Sequence, residues 1–149
     1  MEANGWRLFQ HPLFAGQVRK LTEEVEKLRA MQPDSYAQSP KTKLLASIHR
    51  LVTEIIPRDP GAREFRQGGT LGPGNRHWFR AKFHQRYRLF FRFSSKEKVI
   101  VYAWVNDESS LRKAGSKTDA YAVFQAMLEA SDPPATLEAL LRRVGELKG

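Results

Sequence analysis

Three strand-forming runs in quick succession constrain this chain more than any other feature. They are His77–Phe83, Tyr87–Phe93 and Val99–Val105, separated only by "HQR" and "SSKEK". Connections this short cannot carry a crossover, so the runs must pair as an antiparallel meander. Successive side chains of a strand point to opposite faces. Phe79, Ala81 and Phe83 therefore share one face with Tyr87, Leu89, Phe91 and Phe93. Trp78, Arg80 and Lys82 fall on the other, with Arg86, Arg88, Phe90 and Arg92. The same alternation puts Tyr102 and Trp104 on a common face of the third run, where core packing is the favoured role for both.

The apolar face needs a cover, and two amphipathic segments upstream supply it. Phe14, Val18, Leu21, Val25, Leu28 and Met31 recur at steps of three and four, which predicts a helix from Pro12 or Leu13 that stops before Pro33. A second helix is predicted from Ser39 as N-cap and Pro40 as first residue, with Leu44, Leu45, Ile48, Leu51, Val52, Ile55 and Ile56 on its buried side and Pro57 as its end. The two form a helical hairpin. Before them, "NGWRLFQHP" reads as a short edge strand. Residues Pro57–Asn75 are too rich in Gly and Pro for helix or central strand, and a loop this long within a compact domain is often functional. "NDESSLRKAGSKTD" leads into a helix bearing Tyr121, Val123, Phe124, Met127 and Leu128. "SDPP" breaks it, and a last helix is predicted to carry Leu137, Leu140, Leu141, Val144 and Leu147. The reading is a single α+β domain over residues 1–149.

Charge decides what the second face of the sheet is for. The chain carries +9 at pH 7, and eight bases against one acid between Arg63 and Arg92 supply seven of those nine charges. A solvated sheet face would mix acids among its cations to avoid like-charge neighbours, yet none occurs between Asn75 and Ser95. The pattern predicts an anion-binding surface, with RNA, DNA or an acidic protein as partner. Trp78 and Phe90 on that face suggest base stacking as well.

Other chemistries leave little trace. There is no cysteine, so no disulfide or thiolate metal site, which fits the cytoplasm. No spaced carboxylate cluster suits a two-metal nuclease, and His11, His49, His77 and His84 show no ligand spacing. No metal and no cofactor is expected. His77 and His84 flank the basic strand as possible acid–base groups. "GGTLGPGN" lacks the G-K-[ST] of a P-loop. Neither a membrane span nor a secretory leader is expected.

The motifs "NGWRLFQHPLF", "KTKLLASIHRLV", "FRQGGTLG", "RYRLFFRFSSKEKVI" and "AWVNDESSLRKAGSKTDAY" resemble, in this order, those of YhaV-type toxins of bacterial toxin–antitoxin systems. The resemblance weakens only after Pro134. It implies the RelE/ParE toxin group, whose fold is an N-terminal helical hairpin on a mainly antiparallel sheet with C-terminal helices. It also implies an mRNA-cleaving endoribonuclease that works with the ribosome. The implied partner is a PrlF-type antitoxin with a swapped-hairpin DNA-binding domain, through which alone operator DNA would be bound. Carried over residue by residue, Arg80 and Lys82 match the two bases on alternate strand positions, Arg88 matches the arginine of the Tyr-Arg-Leu motif, and Tyr121 matches the helix tyrosine. Arg112, Lys113 and Lys117 compete for the final arginine's role, with Arg112 favoured.

The chemistry that follows is attack of a ribose 2′-OH on the adjacent phosphorus. Arg80 and Arg88 would stabilise the developing charge, Lys82 would act as base with its pKa depressed by its cationic neighbours, and Tyr121 would stack or assist proton transfer. Arg76, Trp78, Arg86, Arg92, Lys113 and Lys117 are candidate RNA contacts. The rival expectation is a non-catalytic nucleic-acid-binding module, or a ParE-like toxin acting on a protein such as gyrase.

Overall fold

The computed structural model describes residues 1–147. Two short strands, β1 (Glu2–Ala3) and β2 (Trp6–Gln10), precede helix α1 (Pro12–Met31). Helix α2 (Pro40–Arg50) runs on through a π-turn (Leu51–Ile55) into a last turn, α3 (Ile56–Arg58). The meander follows as β3 (Phe79–Phe83), β4 (Tyr87–Ser94) and β5 (Val99–Val105), then α4 (Ala120–Glu129), α5 (Leu137–Leu141) and β6 (Gly145–Glu146). The sheet order is β1-β2-β5-β4-β3, with β6 also pairing β2. Only β2 and β5 run parallel, so the class is α+β with a mixed sheet. Since β5 takes one side of β2, the other is shared: β1 pairs Trp6 and Arg7, and β6 pairs Phe9 and Gln10. The expected edge strand is therefore flanked on both sides.

Both faces of the sheet are buried. The helical hairpin covers one with Phe14, Ile48, Leu51, Val52 and Ile56 against Leu8, Leu89, Phe91, Ile100 and Tyr102. The other face, expected to be open and cationic, carries a second core: Leu71, Trp78, Phe90, Val101, Trp104, Phe124, Leu128 and Leu140. Phe124 of α4 stacks on Phe90 at 4.3 Å and on Trp104 at 5.7 Å, with Trp78 edge-on at 5.2 Å. Burying these large rings outweighs any use as an exposed stacking platform, since each contributes about 2–3 kcal/mol on leaving water.

A β-bulge explains why Tyr102 and Trp104 lie on opposite faces rather than together. Phe90 pairs Trp104 and Phe91 pairs Tyr102, so Ala103 has no partner across the ladder. The extra residue flips the alternation. Tyr102 then points to the hairpin, where its hydroxyl donates to Val52 O at 2.7 Å. That bond solves a backbone problem. In the π register Ile56 N–H reaches Leu51 O, so Val52 O is due the next N–H, and the next residue is Pro57, which has none. Pro57 consequently sits inside the last turn instead of ending the helix before it.

The C-terminal segment also departs from expectation. The helix stops at Leu141, and Leu147, expected on its apolar stripe, packs on the first core after its N–H bonds Leu8 O at 2.8 Å. Pairing with the free half of the β2 edge wins over another helical turn.

Helix α1 starts at a buried histidine. His11 Nδ1 accepts the Leu13 N–H at 3.2 Å, so its proton sits on Nε2, facing Asp132 at 3.9 Å. Burial lowers the His11 pKa below the ordinary 6.5, with Asp132 opposing and Arg143 reinforcing that shift. A depressed histidine pKa means the unfolded chain takes the proton first. Its contribution to stability is complete above 6.5 and is lost as pH falls below, by about 1.4 kcal/mol per pH unit at most. Urea unfolding at pH 7.5 and 5.5 should show a loss that His11→Asn, which preserves the cap, reduces. Some slope should persist, because burial lowers His77 as well.

Candidate active site

Two arginines on the second face lie side by side without a carboxylate. Arg80 on β3 and Arg88 on β4 are 9% and 7% exposed. Arg80 faces Phe90 across the ladder and Arg88 faces Lys82. Each guanidinium donates its Nε–H to the same atom, the hydroxyl oxygen of Tyr121, at 2.9 Å and 3.2 Å. Arg80 Nη1 donates to Glu64 O at 2.9 Å, and Arg88 Nη1 donates to Gln85 O and Tyr87 O at 2.8 and 2.9 Å. Neither arginine has an ion-pair partner among the described residues. Nor does either Nη2 have a hydrogen-bond partner among them, yet neither nitrogen is sealed from solvent. Two fixed, half-satisfied forks beneath α4, each with one nitrogen open to solvent, form a ready anion site.

The long connection after β5 completes the cluster through Asn106, a residue that no sequence signal picks out. Asn106 is 2% exposed. Its Oδ1 accepts Arg88 N–H at 2.6 Å, and its Nδ2 donates to Arg86 O and Ser110 O at 3.0 and 2.9 Å. The side chain so replaces the strand partner that β4 loses where β5 ends. Beyond it, Arg112 N–H bonds Arg86 O at 2.9 Å, and Arg86 Nε–H returns to Arg112 O at 3.1 Å. Arg112 is thereby carried back over the site, its guanidinium 4.8 Å from the centre of the Tyr121 ring.

Asp119 fixes that guanidinium. Its carboxylate accepts from Arg112 Nη1 at 2.7 Å, from Lys113 N–H and, as the N-cap of α4, from Tyr121 N–H at 3.1 Å. Burial alone would raise the Asp119 pKa; the bonds from Arg112, Lys113 and Tyr121 outweigh it and hold the carboxyl below its usual range. The run "TDAY" is a helix-start signal from which this cap was legible. Its grip on Arg112 was not.

Of the other sequence candidates, Lys82 and Arg86 are exposed beside Arg88 and Arg112, and Arg76, Lys113 and Lys117 are exposed on the rim. Trp78 and Arg92 do not join them. Trp78 is fully buried in the second core, so it offers no face to a base. Arg92 lies over the Trp78 ring at 5.4 Å and donates to Ala135 O at 2.6 Å, beneath the segment that breaks α4 from α5. Burial lowers its pKa to about 10, and it remains charged at neutral pH. His77 shares the Ala135 carbonyl at 3.2 Å, and His84 meets Ser47 of α2 at 2.8 Å, so neither histidine's contact is with the arginine pair. Among the described residues no cluster of three His, Asp or Glu side chains could hold a metal ion, and no helix is long and apolar enough to cross a membrane.

Comparison with known proteins gives this geometry a family. Residues 8–145 match the YhaV family, described as a toxin with endonuclease activity, of toxin–antitoxin system. The chain is 48% identical over 145 residues to the ribonuclease toxin YhaV of Escherichia coli strain K12, covering 96% of this chain and 94% of that protein. It is equally similar, over the same share, to the toxin YhaV of Escherichia coli O157:H7. No solved structure gives a significant match.

Removing the shared oxygen tests the cluster directly. Tyr121→Phe leaves two charged, buried N–H groups without an acceptor, at about 2 kcal/mol. Urea unfolding should register that loss, whereas Tyr36→Phe, at a position with no side-chain hydroxyl bond among the described residues, should be neutral.

Proposed function

The chain belongs to the YhaV toxin family, and from that premise we propose that it is a RelE-like endoribonuclease toxin that cuts mRNA on the ribosome by 2′-OH attack. The family supports a toxin of a toxin–antitoxin system with nuclease activity, and the name of the 48% identical relative supports RNA as what is cut. The observation that carries the mechanism is the arginine pair: two guanidinium groups held on one phenol oxygen, unneutralised, each with a free Nη2. These nitrogens donate to the non-bridging oxygens of the scissile phosphate and gain strength as charge develops there. They do so without reorganisation, which is what electrostatic catalysis requires.

Arginine does not deprotonate in proteins, so proton movement falls to other groups. Lys82, across the ladder from Arg88, receives the 2′-OH proton. Tyr121 has both oxygen lone pairs engaged by the arginines, and its role is to position them. Arg112, stacked on Tyr121 and tied to Asp119, is the third phosphate contact; Arg76, Arg86, Lys113 and Lys117 guide the strand from the rim. The phosphorus–5′-oxygen bond breaks as the 2′-oxygen bond forms, and the departing oxygen takes the proton that the Lys82 amine received, leaving a 2′,3′-cyclic phosphate and a 5′-OH. Because the cluster aligns a phosphate but encloses no strand, the ribosome supplies substrate alignment, which is worth several orders of magnitude in rate. A PrlF-type antitoxin masks the cations and mediates contact with operator DNA in the cytoplasm.

Arg88 does not point clear of the helices, as strand alternation alone would suggest, but into the space under α4. Arg88→Ala therefore needs a folding control, and Arg88→Lys is the better probe: it keeps the charge but replaces the planar fork, whose Nε and Nη1 hold Tyr121 and two carbonyls and leave Nη2 free, by a single ammonium. Mapping mRNA 5′ ends in a translating extract, both variants should cut about a hundred- to a thousandfold more slowly than the parent. Wild-type cutting by a well-folded Arg88→Lys would refute the assignment. Cleavage should persist in chelator when ribosome integrity is controlled separately; its abolition on intact ribosomes would exclude the reaction as written.

A further inference from the structure

Against Tyr121 and Arg112 lies a shallow open pocket of about 410 Å³ whose lining includes neither Arg80 nor Arg88. Its walls are the Tyr121 ring and Arg112, Thr70 from the glycine-rich segment, Lys117, and Gln125 one turn after Tyr121 on α4. Residues four apart share a helix face, so Tyr121 and Gln125 present themselves together. We infer that this pocket takes one unstacked RNA base and that Gln125 reads its edge, which rests on the RNA-cleaving assignment above.

Three observations converge on that occupant. Tyr121 belongs to both places: its hydroxyl holds the two arginines while its ring lines the pocket. A phosphate on the arginines thus leaves its own nucleotide, or the next, one side chain away from the pocket. The Arg112 guanidinium, 4.8 Å from the centre of the buried Tyr121 ring and on a side chain 30% exposed, offers a cationic plane of the kind on which single-stranded bases lie. Finally, the Gln125 amide has no hydrogen-bond partner among the described residues although it lies against the loop.

The loop itself is built to leave that amide free. Gln67, 4% exposed, takes Thr70 Oγ1 and Leu71 N–H on its Oε1 and donates to Asn75 O, folding residues 67–75 around its own side chain. Leu71 plugs into the second core. Gly72, with φ +86°, then passes so close to Gln125 that a Cβ would lie 2.6 Å from its Nε2. The absence of a side chain there lets the amide lie against the backbone with its donor and acceptor side by side. Glutamine in that posture matches a base edge carrying an acceptor beside an amino group, which an unpaired adenine or cytosine presents and guanine and uracil do not present on their Watson–Crick edges. Lys117 on the rim adds charge without shape.

The test compares the full-length toxin with Gln125→Leu and Gln125→Glu in two assays. One is the base distribution around cleavage sites on translated mRNA; the other is binding of short single-stranded oligoribonucleotides of one base each, A, C, U and G. The parent should favour A and C over G and U in both, and Gln125→Leu should flatten that preference by roughly tenfold or more. Gln125→Glu, which presents two acceptors, should shift preference towards guanine, whose N1–H and amino group are two donors side by side. An unchanged base profile in a folded Gln125→Leu, or a parent indifferent to base in both assays, overturns the pocket. A parent that binds with a preference lost in Gln125→Leu, yet cuts nothing, would leave the pocket standing and remove the nuclease assignment instead.

Discussion

One phenol oxygen holds this protein's chemistry together. The Tyr121 hydroxyl accepts from Arg80 and Arg88, and through it α4 is tied to β3 and β4 where the second core meets two buried cations. Buried cations without counter-charges are costly, and protein dipoles compensate them only in part. Here the compensation comes from one hydroxyl and the carbonyls of Glu64, Gln85 and Tyr87, leaving positive charge for a ligand to neutralise. The rest of the fold has to offset that cost. It does so with a core on each face of the sheet, one of them a stack of Phe90, Trp104 and Phe124 directly behind the arginines.

The bulge at Ala103 links the two cores. It turns Tyr102 towards the hairpin and Trp104 towards α4, so each face receives one large ring from adjacent turns of the same strand. Without it, strict alternation would put both rings on one side and leave a hole on the other. The residue that closes the π-turn and the residue that backs the arginine site are therefore set by a single unpaired alanine. Deleting or adding one residue here would disturb both faces together.

Much of this was legible because strand alternation is a strong rule. Arg80, Lys82, Arg88 and Phe90 do share a face, the helical hairpin covers the other, and α1 spans Pro12–Met31 as its stripe predicts. What alternation cannot reveal is what lies above a face. A row of arginines reads as an open surface until α4, some thirty residues later in the chain, is known to fold over it. Trp78 and Arg92 were assigned to RNA for that reason and are buried instead. Tyr102 and Trp104 take the core roles expected of them but on opposite faces, because a bulge carries no reliable mark in one sequence. Pro57 reads as a stop signal because its cost, an orphaned carbonyl, is met by a side chain fifty residues away in sequence. Asn106 gave no signal, since a buried asparagine that replaces a strand is recognisable only by its partners.

The cations consequently divide into two sorts that composition cannot separate. Arg80, Arg88 and Arg112 are aligned by named bonds and lose little freedom on meeting a phosphate. Arg76, Lys82, Lys113 and Lys117 are exposed, and each must give up rotamer freedom to make a contact. In the proposed reaction the first sort would discriminate between a ground state and a more highly charged transition state, because rigid donors cannot follow a ligand that moves away from them. The second sort raises local concentration and fails at high salt. On the proposed reading the net charge of +9 governs how quickly RNA arrives, while the geometry around one tyrosine governs what happens to it.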